Sequence, residues 1–128
     1  MATLFSKIAK GEIPSYKIAE DDKHYAFLDI NPVVKGHTLV IPKKENDYIF
    51  NLSDEELADL MIFAKKVAHK LERKIVCKRV AVAVIGMEVP HVHIHLMPIS
   101  TEGEVDFKHK LNLSSDELAA IARTINEE

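Results

Sequence analysis

Apolar residues recur along this chain at two periods, and the places where the period changes mark the predicted elements. Leu4, Phe5 and Ile8 stand at helical spacing and the run ends at Gly11, which predicts a short helix over residues 3–10. Pro14 then favours extended backbone. Tyr16, Ile18 and Glu20, followed by His24 through Asp29, read as two strands joined by the polar turn Glu20-Asp21-Asp22-Lys23. A third strand runs from Thr38 to Ile41 and ends at Pro42. Ser53-Asp54-Glu55-Glu56 has the form of a capping box, in which Ser53 accepts from a free amide and Glu56 reaches back, so a long helix should start there. Leu57, Leu60, Met61, Ala64, Val67, Ala68 and Leu71 continue at spacings of three and four, opposite Lys65, Lys66, Lys70 and Glu72, a stripe fit to cover a sheet.

After that helix the period returns to two. Arg79 to Ile85 is a β-branched run suited to a strand with both faces at least partly buried, and Gly86 ends it. His91-Val92-His93-Ile94-His95-Leu96-Met97 then alternates histidine with an aliphatic residue until Pro98 closes the run. On a strand this spacing puts three imidazoles on one face and packs Val92, Ile94 and Leu96 on the other. Ser114-Ser115-Asp116-Glu117 is a second capping box, opening a C-terminal helix with Leu118, Ile121, Ala122 and Ile125 on one side. Five strands with one long helix between the third and fourth imply an α+β fold. The expectation is a five-stranded antiparallel sheet packed with one long central helix, a short N-terminal helix and a C-terminal helix. Glu102 to Leu113 fits no single element: a loop, a small hairpin and an arm reaching a partner subunit are all compatible with it.

At 128 residues the chain is expected to form one domain, residues 1–128, burying on the order of two thirds of its extended surface. Its 47% hydrophobic and 29% charged content excludes a disordered or low-complexity chain. The formal net charge of −3 is spread over interleaved Lys and Asp/Glu, so no basic face tracks a nucleic-acid polymer. Lys65, Lys66, Lys70, Arg73 and Lys74 recur at helical spacing and read as a solvated helix face. Cys77 is alone and forms no intrachain disulfide; the first residues lack the features of a secretory signal. No apolar stretch approaches the about 20 residues needed to span a bilayer. The expected location is cytoplasmic, with no membrane partner.

Imidazole suits proton transfer, nucleophilic attack and metal ligation near neutral pH. Three of the seven histidines on one strand face are therefore a candidate site, and the spacing serves two chemistries. Imidazoles at i and i+2 lie about 6.5 to 7 Å apart at their backbone positions and can converge on Zn²⁺ with His37 as a remote ligand. Alternatively, a neutral imidazole nitrogen attacks phosphorus, leaving a covalent intermediate for water to resolve. A neighbouring imidazole then serves the leaving group, and a backbone carbonyl or third imidazole fixes the nucleophile's tautomer. His109 is assigned no role.

Residues 91–97 fit the motif His-φ-His-φ-His-φ-φ, with φ hydrophobic, at every position. With it the chain resembles the histidine triad nucleotide hydrolases and transferases, most closely the small purine nucleoside phosphoramidase branch. The resemblance extends through Leu4-Phe5-Ser6-Lys7-Ile8, Gly11-Glu12-Ile13-Pro14, Ala26 to Pro32 and Gly36 to Lys43, covering residues 3–99. It implies a nucleotide-binding hydrolase that cleaves at the α-phosphorus of a purine nucleotide, of phosphoramidate type, through a nucleotidyl-histidine intermediate. By the same carry-over His93 is the nucleophile, His95 contacts the phosphate oxygens or leaving group, His91 orients His93, and His37 extends the hydrogen-bonded chain. Asp29 would accept the ribose hydroxyls, and Phe5, Ile8, Ile13 and Ile30 would wall the base. From the residues alone, Phe5, Ile8 and Ile13 read as core ahead of pocket wall, and Asp29 also fits a simple turn residue. The resemblance further implies a homodimer with one continuous sheet, and no cofactor or catalytic metal.

Two departures from the family pattern stand out. The strand Arg79-Val80-Ala81-Val82-Ala83-Val84 lacks an asparagine found in many members. Gly86-Met87-Glu88-Val89-Pro90 replaces a Gly-Gln-Ser or Gly-Gln-Glu approach to the triad. An amide contact to the phosphate or leaving group is thus missing, and Glu88 repels phosphate unless it points away. An N-terminal cysteine pair is absent too, with Leu4 and Ser6 flanking Phe5, so no structural zinc of that type is expected. A non-catalytic nucleotide-binding dimer, a dinucleoside polyphosphate hydrolase, and a metal module using His93, His95 and His37 are the competing functions.

Overall fold

The computed structural model describes residues 2–127; Met1 and Glu128, the ends of the expected domain, lie outside the described residues. The strands are β1 (Lys17–Glu20), β2 (His24–Leu28), β3 (Thr38–Pro42), β4 (Arg79–Ala83) and β5 (Ile94–Ile99). They form one sheet in the order β1-β2-β3-β5-β4, antiparallel throughout. The helices are α1 (Leu4–Ala9), α2 (Asp54–Lys74) and α3 (Ser115–Asn126). Both expected capping boxes form: Ser53 and Glu56 exchange bonds of 3.1 and 2.9 Å, and Ser114 and Glu117 bonds of 3.1 and 3.0 Å. Thr3 and Ser6 build a third at the head of α1.

The pleat sorts the strands between two faces. Ala26, Leu28, Val40, Ile94 and Leu96 meet Leu60, Phe63, Ala64, Val67 and Leu71 of α2, and the four expected apolar residues of α3 join them. Tyr25, Phe27, Leu39 and Ile41 face the other way and pack on Phe5 and Ile8 of α1. Met61 does not belong to the buried stripe, being 41% exposed. It lies a 100° step round the helix from Leu60, whereas Phe63 falls into line with Leu60 and Val67 and stacks on His24 at 5.0 Å.

Three expectations are corrected. The histidine run is not strand throughout, since β5 starts at Ile94. Val92 donates its N–H to Asn46 C=O at 2.7 Å instead of joining the ladder to β3. Pro98 does not end the strand either. β3 begins at Thr38 opposite Leu96, so residues 97–99 pair only with β4, and a proline is tolerated where one flank is free. Finally, β4 stops at Ala83 and not at Ile85; it is an edge strand whose two faces are partly buried as expected, Val80 packing on the α2 side and Ala81 and Ala83 on the other, while Val82 stays 55% exposed.

Residues 102–113 hold no strand and so form no hairpin. A 3₁₀ turn at Glu102–Glu104 leads into a strap that folds back over the sheet, where Leu111 N–H reaches Pro32 C=O at 2.7 Å. Val105 and Phe107 of this strap pack on Val33, Val34, Met97 and Ile99. No helix among the described residues is long and apolar enough to cross a membrane.

Candidate active site

The edge of α1, the sheet and the strap enclose a cleft of about 420 Å³. His95 enters it from β5, paired with Leu39 on one side and Ala83 on the other. His93 enters from the extended approach to that strand, its ring 5.1 Å from that of His95. His37 stands at the start of β3, behind His95 at 5.2 Å. The turn before it, closed by His37 N–H to Val34 C=O at 3.1 Å, requires Gly36 at φ 86°.

Hydrogen bonds assign every imidazole tautomer, because a carbonyl only accepts and an amide N–H only donates. His93 Nδ1 lies 2.7 Å from His91 C=O, so Nδ1 carries the proton and Nε2 keeps a free lone pair. Val33 N–H donates to His37 Nδ1 at 3.0 Å, leaving the proton of His37 on Nε2. That Nε2–H donates to His95 Nδ1 at 2.9 Å, which forces the proton of His95 onto its own Nε2. Two neighbouring imidazoles therefore present opposite atoms: His93 a lone pair and His95 an N–H.

His91 meets His93 through its backbone and not through its ring. Its ring is fully buried and turned away from the cleft: Nε2 donates to Pro42 C=O and Nδ1 accepts from Thr3 Oγ1, both at 2.7 Å. The backbone carbonyl of His91, not its imidazole, holds His93. Thr3 in turn accepts from Ser6 N–H at 3.0 Å, so the α1 capping box and the triad share one hydroxyl.

Burial dominates the electrostatics. His37 and His95 are each pushed from 6.5 down to about 4, by burial first and by neighbouring charge second. His91 is lowered by burial, opposed by its bond to Pro42. Asp29 is raised by burial, opposed by Asn31 N–H at 2.8 Å on Oδ1. Its Oδ2 lies 3.7 Å from His37 Nε2. Asp29 is thus both a turn residue and a cleft residue. Phe5 and Ile8 are core and cleft wall at once, Ile13 is half-buried, and Ile30 is 63% exposed at the rim.

Ligand atoms of Asp29, His37 and His95 lie within 4.8 Å of one another, the group among the described residues best spaced for a metal; His93 is not in it. The donor set does not fit a metal. With Val33 N–H on Nδ1, His37 Nε2 holds a proton and has no lone pair, and freeing it would orphan a buried amide. Phe107 and Lys110 are cleft residues that sequence reasoning missed. Phe107 sets its ring edge-on to His95 at 5.0 Å and to His37 at 6.3 Å. Its only sequence signal is the apolar pair Val105 and Phe107 inside a polar segment.

A model of the HIT domain matches residues 10–102. The chain belongs to the HIT domain family. An uncharacterised HIT-like protein of Borreliella burgdorferi is 36% identical over 132 residues, covering 96% of this HIT chain and 95% of that protein. Adenosine 5'-monophosphoramidase HNT1 of Saccharomyces cerevisiae is 43% identical over 99 residues, or 76% of this chain; the match spans only 62% of the yeast protein's length. Among solved structures, a hypothetical histidine triad nucleotide-binding protein of Sulfolobus tokodaii superposes with a TM-score of 0.83 at 27% identity, covering 94% of this chain and 87% of that one. The HIT match ends at 102, so the strap with Phe107 and Lys110 lies beyond it.

Proposed function

We propose that this HIT chain is an enzyme, a nucleotide-binding hydrolase that cleaves at the α-phosphorus of a purine nucleotide of phosphoramidate type. The observation that carries this reading is the pair of opposite tautomers, His93 with a lone pair and His95 with an N–H, side by side in one cleft. The name of the yeast relative, an adenosine 5'-monophosphoramidase, supports the leaving-group class.

His93 Nε2 forms a bond to phosphorus as the phosphorus–nitrogen bond breaks. The nitrogen leaves with the electron pair and takes a proton from solvent, departing as the amine. His95 Nε2–H donates a hydrogen bond to the phosphoryl oxygen or the leaving atom, where charge changes most. His91 C=O supports the positive charge on the phosphorylated His93 through its Nδ1–H. Water then attacks phosphorus, the bond to His93 returns its pair to Nε2, one water proton stays on the nucleoside monophosphate and the other goes to solvent. Asp29 accepts the ribose hydroxyls, and Phe5, Ile8, Ile13 and Ile30 wall the base.

Residues 1–128 act as one domain, and two copies join into one continuous sheet. The bare edge of β4 supports this pairing, with Val82 on the strand and Val84 and Ile85 just after it left 55, 39 and 51% exposed. A free Cys77 accords with a cytoplasmic location.

Intact-protein mass spectrometry after brief mixing with an adenosine phosphoramidate, quenched without acid, tests the reaction. The parent should show a nucleotidyl adduct and release nucleoside monophosphate, and His93→Ala should lose both, with turnover reduced by several orders of magnitude. Glu88 in the cleft wall is the feature that favours a non-catalytic nucleotide-binding dimer. Nucleotide binding by the parent without adduct or turnover would select that reading instead.

A further inference from the structure

The strap between Glu102 and Leu113 closes one side of the cleft and brings a cation into it. Glu104 Oε1 fixes its start, accepting the N–H groups of Ser100 and Thr101 at 2.7 and 2.9 Å. Asp106 then holds a second turn, accepting from Lys108 N–H at 3.0 Å and from His109 Nδ1 at 2.6 Å. Leu111 N–H is tied to Pro32 C=O at 2.7 Å. Lys110 sits between these anchors, so its backbone is held beside the loop that carries Asp29, and its side chain lines the cleft with Asp29, His95 and Phe107.

The charges of the cleft make this placement consequential. The hydrogen bonds hold His37 and His95 each with a single ring proton, hence neutral. Asp29 and Glu88 are the acidic side chains of the lining, and Lys110 is its sole lysine or arginine among the described residues. Without Lys110, a phosphate anion would enter a low-dielectric wall of two carboxyl groups and uncharged imidazoles, and would be repelled. The ammonium also acts at short range on the site: it lowers the pKa of Asp29, His37 and His95 together.

We propose that Lys110 binds the substrate's phosphoryl oxygens and supplies a fixed positive charge beside the neutral His37–His95 pair. This rests on the nucleotide reading above and adds to it the residue that recognises the phosphate. Lys110 lies on the strap, outside the stretch that matches the HIT domain, so phosphate recognition in this chain draws on a segment separate from the triad. It is exposed and makes no packing contact in the cores, so replacing it leaves the fold intact.

The experiment compares adenosine and AMP binding to the full chain by calorimetry, in the parent, Lys110→Met and Lys110→Arg. Lys110→Met should weaken AMP about 10- to 100-fold, the range of one charge-assisted hydrogen bond, and leave adenosine within about twofold. Lys110→Arg should restore most of the AMP affinity, and the salt dependence of AMP binding should be shallower in Lys110→Met than in the parent. Equal AMP affinity in Lys110→Met and the parent, or an equal loss for adenosine, would overturn the inference. The outcome separates from that of the reaction: a His93 adduct with AMP affinity unchanged in Lys110→Met sinks Lys110 alone. AMP affinity that depends on Lys110 with no adduct sinks the catalytic step alone.

Discussion

Acidification should destabilise this HIT chain through His37, and the bonds of that ring set the size of the effect. Its side chain is fully buried. Val33 N–H occupies Nδ1 and His95 Nδ1 receives the proton of Nε2, so a second proton has no site without breaking the bond to Val33. The folded pKa is accordingly lowered from 6.5 to about 4, while the unfolded chain titrates near 6.5. Between these values the unfolded chain binds more protons. The contribution of His37 is therefore complete above about pH 6.5 and is lost as pH falls through the folded value near 4. Lowering the pH from 7 to 5 should cost about 2 kcal/mol from this one ring, a sizeable share of the about 5 to 15 kcal/mol of a typical domain.

Urea unfolding of the parent and of His37→Leu at pH 7 and pH 5 measures it. The variant is less stable at both, because Val33 N–H and His95 Nδ1 lose their partners, but its stability should fall by about 2 kcal/mol less on acidification. Carboxylates remote from His37 titrate alike in both chains and cancel in the difference. The same pH dependence in both chains would refute the reasoning. Nitrogen-15 imidazole shifts of the parent give an independent reading: His37 should remain in its Nε2–H tautomer down to pH 5, and a doubly protonated ring there would refute it as well.

Thr3→Val removes the hydroxyl that both caps α1 and donates to His91, and should cost about 2 to 4 kcal/mol in urea unfolding, whereas Thr3→Ser should keep most of it. Gly36→Ala meets a positive φ of 86° and places a Cβ 3.2 Å from Ile75 Cγ1 and 3.3 Å from Pro98 Cγ. A loss of about 2 kcal/mol or more is expected, and a thermal midpoint unchanged from the parent would contradict it.

The period of the sequence was enough to locate each α-helix and strand, though not the 3₁₀ turns at Ile49–Asn51 and Glu102–Glu104, because each apolar residue of a strand answers to its own face. It failed where a residue's environment depends on what lies beside it. Arg79 to Ile85 showed a strand partly buried on both faces but not that it ends at Ala83 or lies at the sheet edge, since strand order is a long-range property. Met61 and Phe63 are equally apolar, and the phase set by Leu60, Ala64, Val67 and Leu71 buries Phe63 and leaves Met61 at the edge of the stripe. The site shows the same division. The alternation of His93 and His95 with Ile94 was legible, and so was the company of His37. The withdrawal of His91 from the cleft was not, since it follows from Val92 bonding to Asn46 and from Thr3 arriving at its ring. Phe107 and Lys110 were illegible for a related reason: the strap is placed by turn bonds to Glu104 and Asp106 and by one amide, Leu111 to Pro32, which leave no periodic trace.

The division of labour between His93 and His95 is set by main-chain groups. The two residues are chemically identical and two positions apart, and no side-chain property distinguishes them. A carbonyl at one end, that of His91, takes the Nδ1 proton of His93; an amide at the other end, that of Val33, denies a proton to Nδ1 of His37 and so, one bond further, to Nδ1 of His95. No substitution elsewhere in the cleft removes either group, so the polarity of the site survives changes at its walls. What substitution can reach is the relay between them, which is why His37, without contacting His93, decides which atom His95 offers to the substrate.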